Sequence, residues 1–219
     1  MAYQAWSVVF GEQPTAAKWN ILGTNDESFH DGTGIDDDAI LQRHIADNQI
    51  LPAQLTSAAR WWEELARVTW SSGGVLDTGT FTAKKYLRII LFDTQTSAYG
   101  SDIIFNNDSG ANYAFARTLE GGAFSSQVSQ NSIEFMGNYK GPQMATAEFI
   151  NIASAEKPGN TTWVSGPRAG TVGSAAQVPT HGEYAQKWTG SAQITRVAAT
   201  RRSSTNYAAG SELIVLGHD

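Results

Sequence analysis

Tyr86-Leu87-Arg88-Ile89-Ile90-Leu91-Phe92 is the stretch that decides the fold class. Its residues are mostly β-branched, aromatic or aliphatic, the run is short for a helix, and a polar loop closes it, so it reads as a strand. Asp102-Ile103-Ile104-Phe105 follows that loop, and Asn112-Tyr113-Ala114-Phe115-Ala116-Arg117 then alternates with period two. Further strands are expected at Ser132–Met136, Ala147–Ile152, Thr161–Val164, Ser191–Ala198 and Ser211–Leu216. Between them stand Asn107-Asp108-Ser109-Gly110, Gly121-Gly122, Lys140-Gly141-Pro142, Lys157-Pro158-Gly159-Asn160 and Gly166-Pro167, all of turn chemistry. About eight short strands at this spacing, with no helical period between them, predict a mainly β fold. The expected architecture is an antiparallel β-sandwich, jelly-roll-like, over residues 75–219.

Toward the N-terminus the pattern changes near Ser71-Ser72-Gly73-Gly74. Residues 1–70 read as an arm of short helices and extended segments. Pro14 and Thr15 open a helix in which Ala16, Trp19 and Ile21/Leu22 repeat at helical spacing, with Gly23 as its stop. Asp36, Asp37 and Asp38 lead into Ala39–Ile45, where three carboxylates complement the positive end of a helix dipole. Pro52 opens a third helix, in which Leu55, Ala58, Trp62, Leu65 and Thr69 form a heptad-like seam two heptads long. Trp6, Trp19, Trp61, Trp62 and Trp70 are five of the seven tryptophans, and so much ring surface is hard to bury inside short helices. A partner or a symmetry mate is the expected cover.

The net charge of -6 resolves in the same place. Residues 1–70 hold 10 acidic and 4 basic side chains, whereas residues 71–219 hold 11 of each. Without a Lys/Arg stripe the chain is a poor candidate for gripping phosphate backbones, so no nucleic acid is expected as partner. The longest apolar runs are far short of the roughly 20 residues that cross a bilayer, so no membrane insertion is expected. Zero cysteines exclude a disulfide scaffold, a Cys-ligated metal and a thiol nucleophile. Met1–Phe10 lacks a basic n-region and apolar core of the secretory type, which predicts synthesis in the cytoplasm.

Catalytic motifs are sparse. GxxxxGK[ST] and HExxH do not occur, Ser191 after Gly190 lacks the second Gly of a nucleophile elbow, and His30, His44, His181 and His218 show no metal-ligand spacing. Three consecutive Asp do not make a calcium loop without the alternating ligands and the Gly turn. No catalytic residue, metal or cofactor is therefore expected. Glu134 and Glu148 lie in expected strands, so carboxylates paired across a sandwich face keep a glycosidase as a minor alternative. The loop Asn106-Asn107-Asp108-Ser109-Gly110-Ala111-Asn112-Tyr113 is the most distinctive of the second region. One reading is a self-capped turn; the other is a ligand site in which Asn106, Asp108, Asn112 and Tyr113 contact a sugar by stacking and hydrogen bonds.

Gln13-Pro14-Thr15-Ala16-Ala17-Lys18-Trp19-Asn20-Ile21-Leu22-Gly23, followed by Asp31-Gly32-Thr33-Gly34-Ile35, resembles the N-terminal segment of tailed-bacteriophage tail-fibre and related virion proteins. Ile45-Ala46-Asp47-Asn48-Gln49-Ile50-Leu51-Pro52-Ala53-Gln54-Leu55 is similar to a unit of fibre shafts, where three parallel chains turn Ile and Leu to a three-fold axis. Phe105–Tyr113, Ile150-Asn151-Ile152-Ala153, Lys187-Trp188 with Gln193-Ile194-Thr195, and Ala209–Leu213 resemble β-sandwich modules of the same virion proteins, of tail-fibre and head-fibre type. The resemblance implies a homotrimer with Ile45, Ile50 and Leu55 turned to its axis, and the heptad-like seam adds Trp62 and Leu65 to the expected interface. It implies attachment to other structural proteins of tail or capsid through Trp6, Trp19 and Leu22, and localisation in the virion after synthesis in the bacterial host. A short fibre or spike would present the sandwich to a host-surface glycan. The alternative is a capsid decoration or head-fibre protein that stabilises the shell and binds nothing on the host; a free-standing carbohydrate-binding module is a third reading.

Overall fold

The computed structural model describes residues 13, 15–17, 19–20, 61–72, 74–94, 98–166, 175, 178–202 and 206–219. The chain divides into two compact units, Met1–Thr56 and Ser57–Asp219. In the first, Ala16, Ala17, Trp19 and Asn20 are helical, and the Trp19 N–H donates to the Thr15 carbonyl at 3.1 Å, in agreement with the expected helix start. Ile45, Ile50, Leu55, Trp6 and Leu22 lie outside the described residues.

The second unit is an antiparallel β-sandwich. Its strands are β1 Glu63–Thr69, β2 Val75–Asp77, β3 Tyr86–Asp93, β4 Ser101–Phe105, β5 Tyr113–Leu119, β6 Ser125–Gln130, β7 Ile133–Glu134, β8 Gln143–Ile150, β9 Lys157–Ser165, β10 Thr180–Trp188, β11 Val197–Arg201 and β12 Glu212–His218. One sheet runs β1-β12-β3-β8-β9-β10-β5-β6 and the other β2-β11-β4-β7. The subset β1-β12-β3-β8 facing β2-β11-β4-β7 has the interleaved order of a jelly roll, two Greek keys wound together. Two hairpins inserted in sequence, β5–β6 and β9–β10, extend the larger sheet beyond that frame.

Burial follows the period-two pattern. On β3, Leu87, Ile89 and Leu91 are fully buried while Arg88, Ile90 and Phe92 face outward, and on β8 Ala145, Ala147 and Phe149 face the same interior. Ile103 and Phe105 of β4, and Val197 and Ala199 of β11, close the core from the smaller sheet. Phe105 is its hub: its ring lies 5.1 Å from Phe149, 5.8 Å from Trp188 and 6.2 Å from Tyr113. Two glycines exist where rings press on backbone. A Cβ on Gly182 would lie 2.4 Å from the Trp163 indole nitrogen, and one on Gly190 would lie 2.1 Å from Trp188.

Three expectations are corrected. The helix expected from Pro52 through Thr69 is, over Glu63–Thr69, strand β1, paired with β12 from Glu63↔Gly217 to Thr69↔Glu212. Glu63-Glu64-Leu65-Ala66-Arg67-Val68 satisfies either period, and the ladder offered by the strongly apolar β12 outweighs a weak helix propensity. Leu65 consequently packs on the core of its own chain, and Trp62 on Arg88 and His218, instead of forming a helical interface seam. The strand-rich unit begins at Ser57, so it takes in residues assigned to the arm. Finally, Lys157-Pro158-Gly159-Asn160, expected as a turn, opens β9. Pro158 sits beyond the last β8–β9 pair, Phe149↔Gly159, so its missing N–H leaves no gap in that ladder.

Truncating Phe105 to Ala removes the ring that three others pack against. It should cost about 3–5 kcal/mol of unfolding free energy, read as a lower urea midpoint.

Candidate functional site

The loop between β4 and β5 brings Asn106, Asp108, Asn112 and Tyr113 together, as their closeness in sequence requires, but it engages their polar atoms with one another and with neighbouring backbone. Asn106 and Asn107 take positive φ, 52° and 58°. This aims the Asn106 amide at the β10–β11 connection, where Nδ2 donates to the Gln193 carbonyl at 2.8 Å and Oδ1 accepts from the backbone of Thr195 at 2.9 Å and Arg196 at 3.1 Å. The Tyr113 hydroxyl donates to the Asp108 carbonyl and accepts from the Phe105 N–H, both at 2.9 Å. At 1% exposure its ring offers no face to a ligand. Asp108 accepts from the Trp188 indole at 2.6 Å, the Gly110 N–H at 2.9 Å and the Asn112 amide at 2.9 Å. This loop is a self-capped staple between sheets.

Two further groups of charges were candidates for chemistry. Glu134 on β7 accepts from Arg202 at 2.8 Å, from Tyr184 at 3.2 Å and from Arg117. Asp102, its partner across the β4–β7 ladder, accepts from the same Arg202 at 2.6 Å. Burial raises the Asp102 pKa, with the Arg202 charge opposing it. The hollow beside them is about 130 Å³, below the size of small-molecule sites, so the cluster reads as stitching of β5 and β10 to the smaller sheet. Glu148 lies on the opposite, outer face of β8, ion-paired with Arg88. Glu134 and Glu148 therefore line different hollows and do not form the carboxylate pair a glycosidase requires. Among the described residues no group of three or more His, Asp or Glu is placed to hold a metal ion, and no helix is long and apolar enough to cross a membrane.

A hollow of about 590 Å³ opens on the outer face of the eight-stranded sheet, and its volume falls in the range of small-molecule sites. It owes its existence to the strand that replaced the expected helix. β1 delivers Trp61 and Trp62 to the end of β12, where His218 stands between them and Tyr86 of β3. The Trp61 and His218 rings stack at 5.4 Å and 25°, and His218 and Tyr86 at 6.2 Å and 22°. The Arg88 guanidinium lies 4.9 Å over the Trp62 ring and donates to Glu148 at 2.9 Å, which fixes both on the floor. Ile150 and Pro158 supply the apolar side, and Asn160 a free-facing amide. Trp61 is 77% exposed and Tyr86 37%, so an aromatic wall meets solvent beside a carboxylate and an amide.

In the sequence Trp61 and Trp62 read as rings that need cover and Tyr86 as a strand residue. His218 carries no local signal, because only the pairing His218↔Tyr86 places it in the stack. Trp19 is 58% exposed on its helical turn. No protein-family model matches the chain, and no curated protein sequence matches it.

Burial by itself would raise the Asp108 pKa, but the bonds from Trp188, Gly110 and Asn112 overcome that and hold it below the ordinary carboxylate range. Stabilisation from such a group is present above the unfolded value, near about 3.9, and is lost as pH falls through the lower folded value. Asp108→Asn should therefore lose about 1 kcal/mol at neutral pH. It should also show a shallower loss of stability below about pH 4 than the unmodified chain, read by urea unfolding across pH.

Proposed function

We propose that this chain is a structural protein of a tailed-bacteriophage virion, a short homotrimeric fibre or spike attached to the particle by its N-terminal segment. Its jelly-roll body is presented for adhesion to a host-surface glycan, without catalysis. The observation that carries the adhesion is the exposed Trp61–His218–Tyr86 stack beside Glu148 and Asn160. A sugar ring has an apolar C–H face and a polar hydroxyl rim. A flat aromatic surface covers the first while a carboxylate and an amide hydrogen-bond the second. The division into two compact units supports a separate attachment segment, as does the N-terminal resemblance to fibre proteins.

Adhesion is tested on an array of bacterial surface polysaccharides read by tryptophan fluorescence. Trp61→Ala should abolish binding. Because Trp61 is 77% exposed, unfolding stability should stay within about 0.5 kcal/mol of the starting value. A silent array, or a Trp61→Ala variant that binds as before, removes the adhesion reading from this site. Mass measurement of the full chain in solution tests the trimer, and a monodisperse monomer would sink it.

A further inference from the structure

The aromatic hollow is not isolated. Two further hollows of about 410 and 360 Å³ lie on the same outer face over β9, β10, β5 and β6. The first shares Asn160 with the aromatic hollow, the second shares Pro158 with it, and the two share Ala116 with each other. Together they form one trough running perpendicular to the strands. The register shows how it is made. Leu216, Arg88, Glu148, Asn160, Ala185 and Ala116 stand side by side on successive strands of the outer face, with the short side chains gathered at the β10 and β5 end. Beyond them Phe124, at 70% exposure, and Val128, at 71%, rise on and before edge strand β6 as the far wall. From β12 to β6 is six strand spacings, about 29 Å at the usual interstrand distance. The bases along the trough are each paired with a carboxylate, Arg88 with Glu148, Arg117 with Glu134 and Lys187 with Glu156, so no unpaired positive charge faces a ligand.

Resting on the adhesion reading, we infer that the ligand is an extended, uncharged polysaccharide lying across the strands. Its chain runs from the Trp61–Tyr86 wall over Asn160, Ala185 and Ala116 to Phe124 and Val128. A small-residue floor admits a chain of linked rings because nothing stands up to block it, and a trough whose bases are all paired favours a neutral polymer over a phosphorylated or uronic-acid one. An aromatic residue at each end supplies two apolar contacts too far apart for one sugar to span.

The test is titration of the full chain with ladders of neutral α-glucan, β-glucan and α-mannan oligosaccharides from dimer to octamer, beside anionic alginate and polyphosphate. Affinity should climb with length, by roughly tenfold or more between dimer and hexamer, and level off once the trough is filled. Ala185→Trp, which plants a ring on the exposed floor, should reduce long ligands to the affinity of short ones and leave the short ones unchanged. Phe124→Ala should weaken only the longest. Equal affinity for all lengths, or tighter binding of alginate or polyphosphate, overturns the proposal while leaving glycan adhesion standing. Silence from every ladder together with a silent surface-polysaccharide array overturns both.

Discussion

Phe105 is the contact on which the rest of this molecule depends. It ends a strand of the smaller sheet and packs edge-on to Phe149 of the larger one, and it touches Trp188 and Tyr113 on the inserted hairpins. One ring thus joins the jelly-roll frame to its extension. Polar groups beside it are paired within the chain: the Asp108 carboxylate holds the Trp188 indole, and the Lys157 ammonium donates to the Gly190 carbonyl at 2.9 Å while lying 5.6 Å over the Trp188 ring. Buried polar atoms are costly unless paired, so the loops that meet here are fixed by the same contacts that fix the core.

That fixing has a consequence for the opposite side of the larger sheet. A four-stranded sheet faces an eight-stranded one, so the interior of the extension is filled by Trp163, Tyr184 and Phe115 and by the segment carrying Phe135, Met136 and Tyr139. Along β3, β8, β9, β10 and β12 of the larger sheet the packing buries alternate residues. The outer face of the larger sheet is left to solvent, and a long row of aligned positions lies across it. A rigid sheet with every strand registered from the core is a precise platform for recognition, because its outer side chains inherit their spacing from buried neighbours.

The edges of that sheet are treated differently. β1 carries Glu63, Glu64 and Arg67 and a register irregularity at Glu64/Ala66, devices that discourage a further strand from joining. Arg67 also bridges Glu64 and Glu212, and Lys84 bridges Glu63 and Asp219, pinning the edge to its neighbours by pairs partly open to solvent. Each such exposed pair contributes little alone. β6 has no charged residue, only serine, glutamine and valine, and its Val128 stands 71% exposed.

The strand character of Tyr86–Phe92, Asp102–Phe105 and Ser211–Leu216, and hence the antiparallel sandwich, was legible in the chain because apolar alternation has one physical use in a half-buried sheet. The Asx turn at Asn106–Gly110 was legible for the same local reason. β10 was not, because Thr180-His-Gly-Glu-Tyr-Ala-Gln-Lys-Trp188 buries threonine, glycine and glutamine on the same face as its two rings, and no propensity marks such a strand. Glu63–Thr69 fits helical and extended periods equally, and only the unpaired edge of β12 chose between them. What the sequence determined by itself was the class of fold and the turns within it, since both follow from interactions between neighbours in the chain. The aromatic wall was decided by tertiary structure alone. Trp61, Tyr86 and His218 are up to 157 residues apart and meet only through long-range strand pairing.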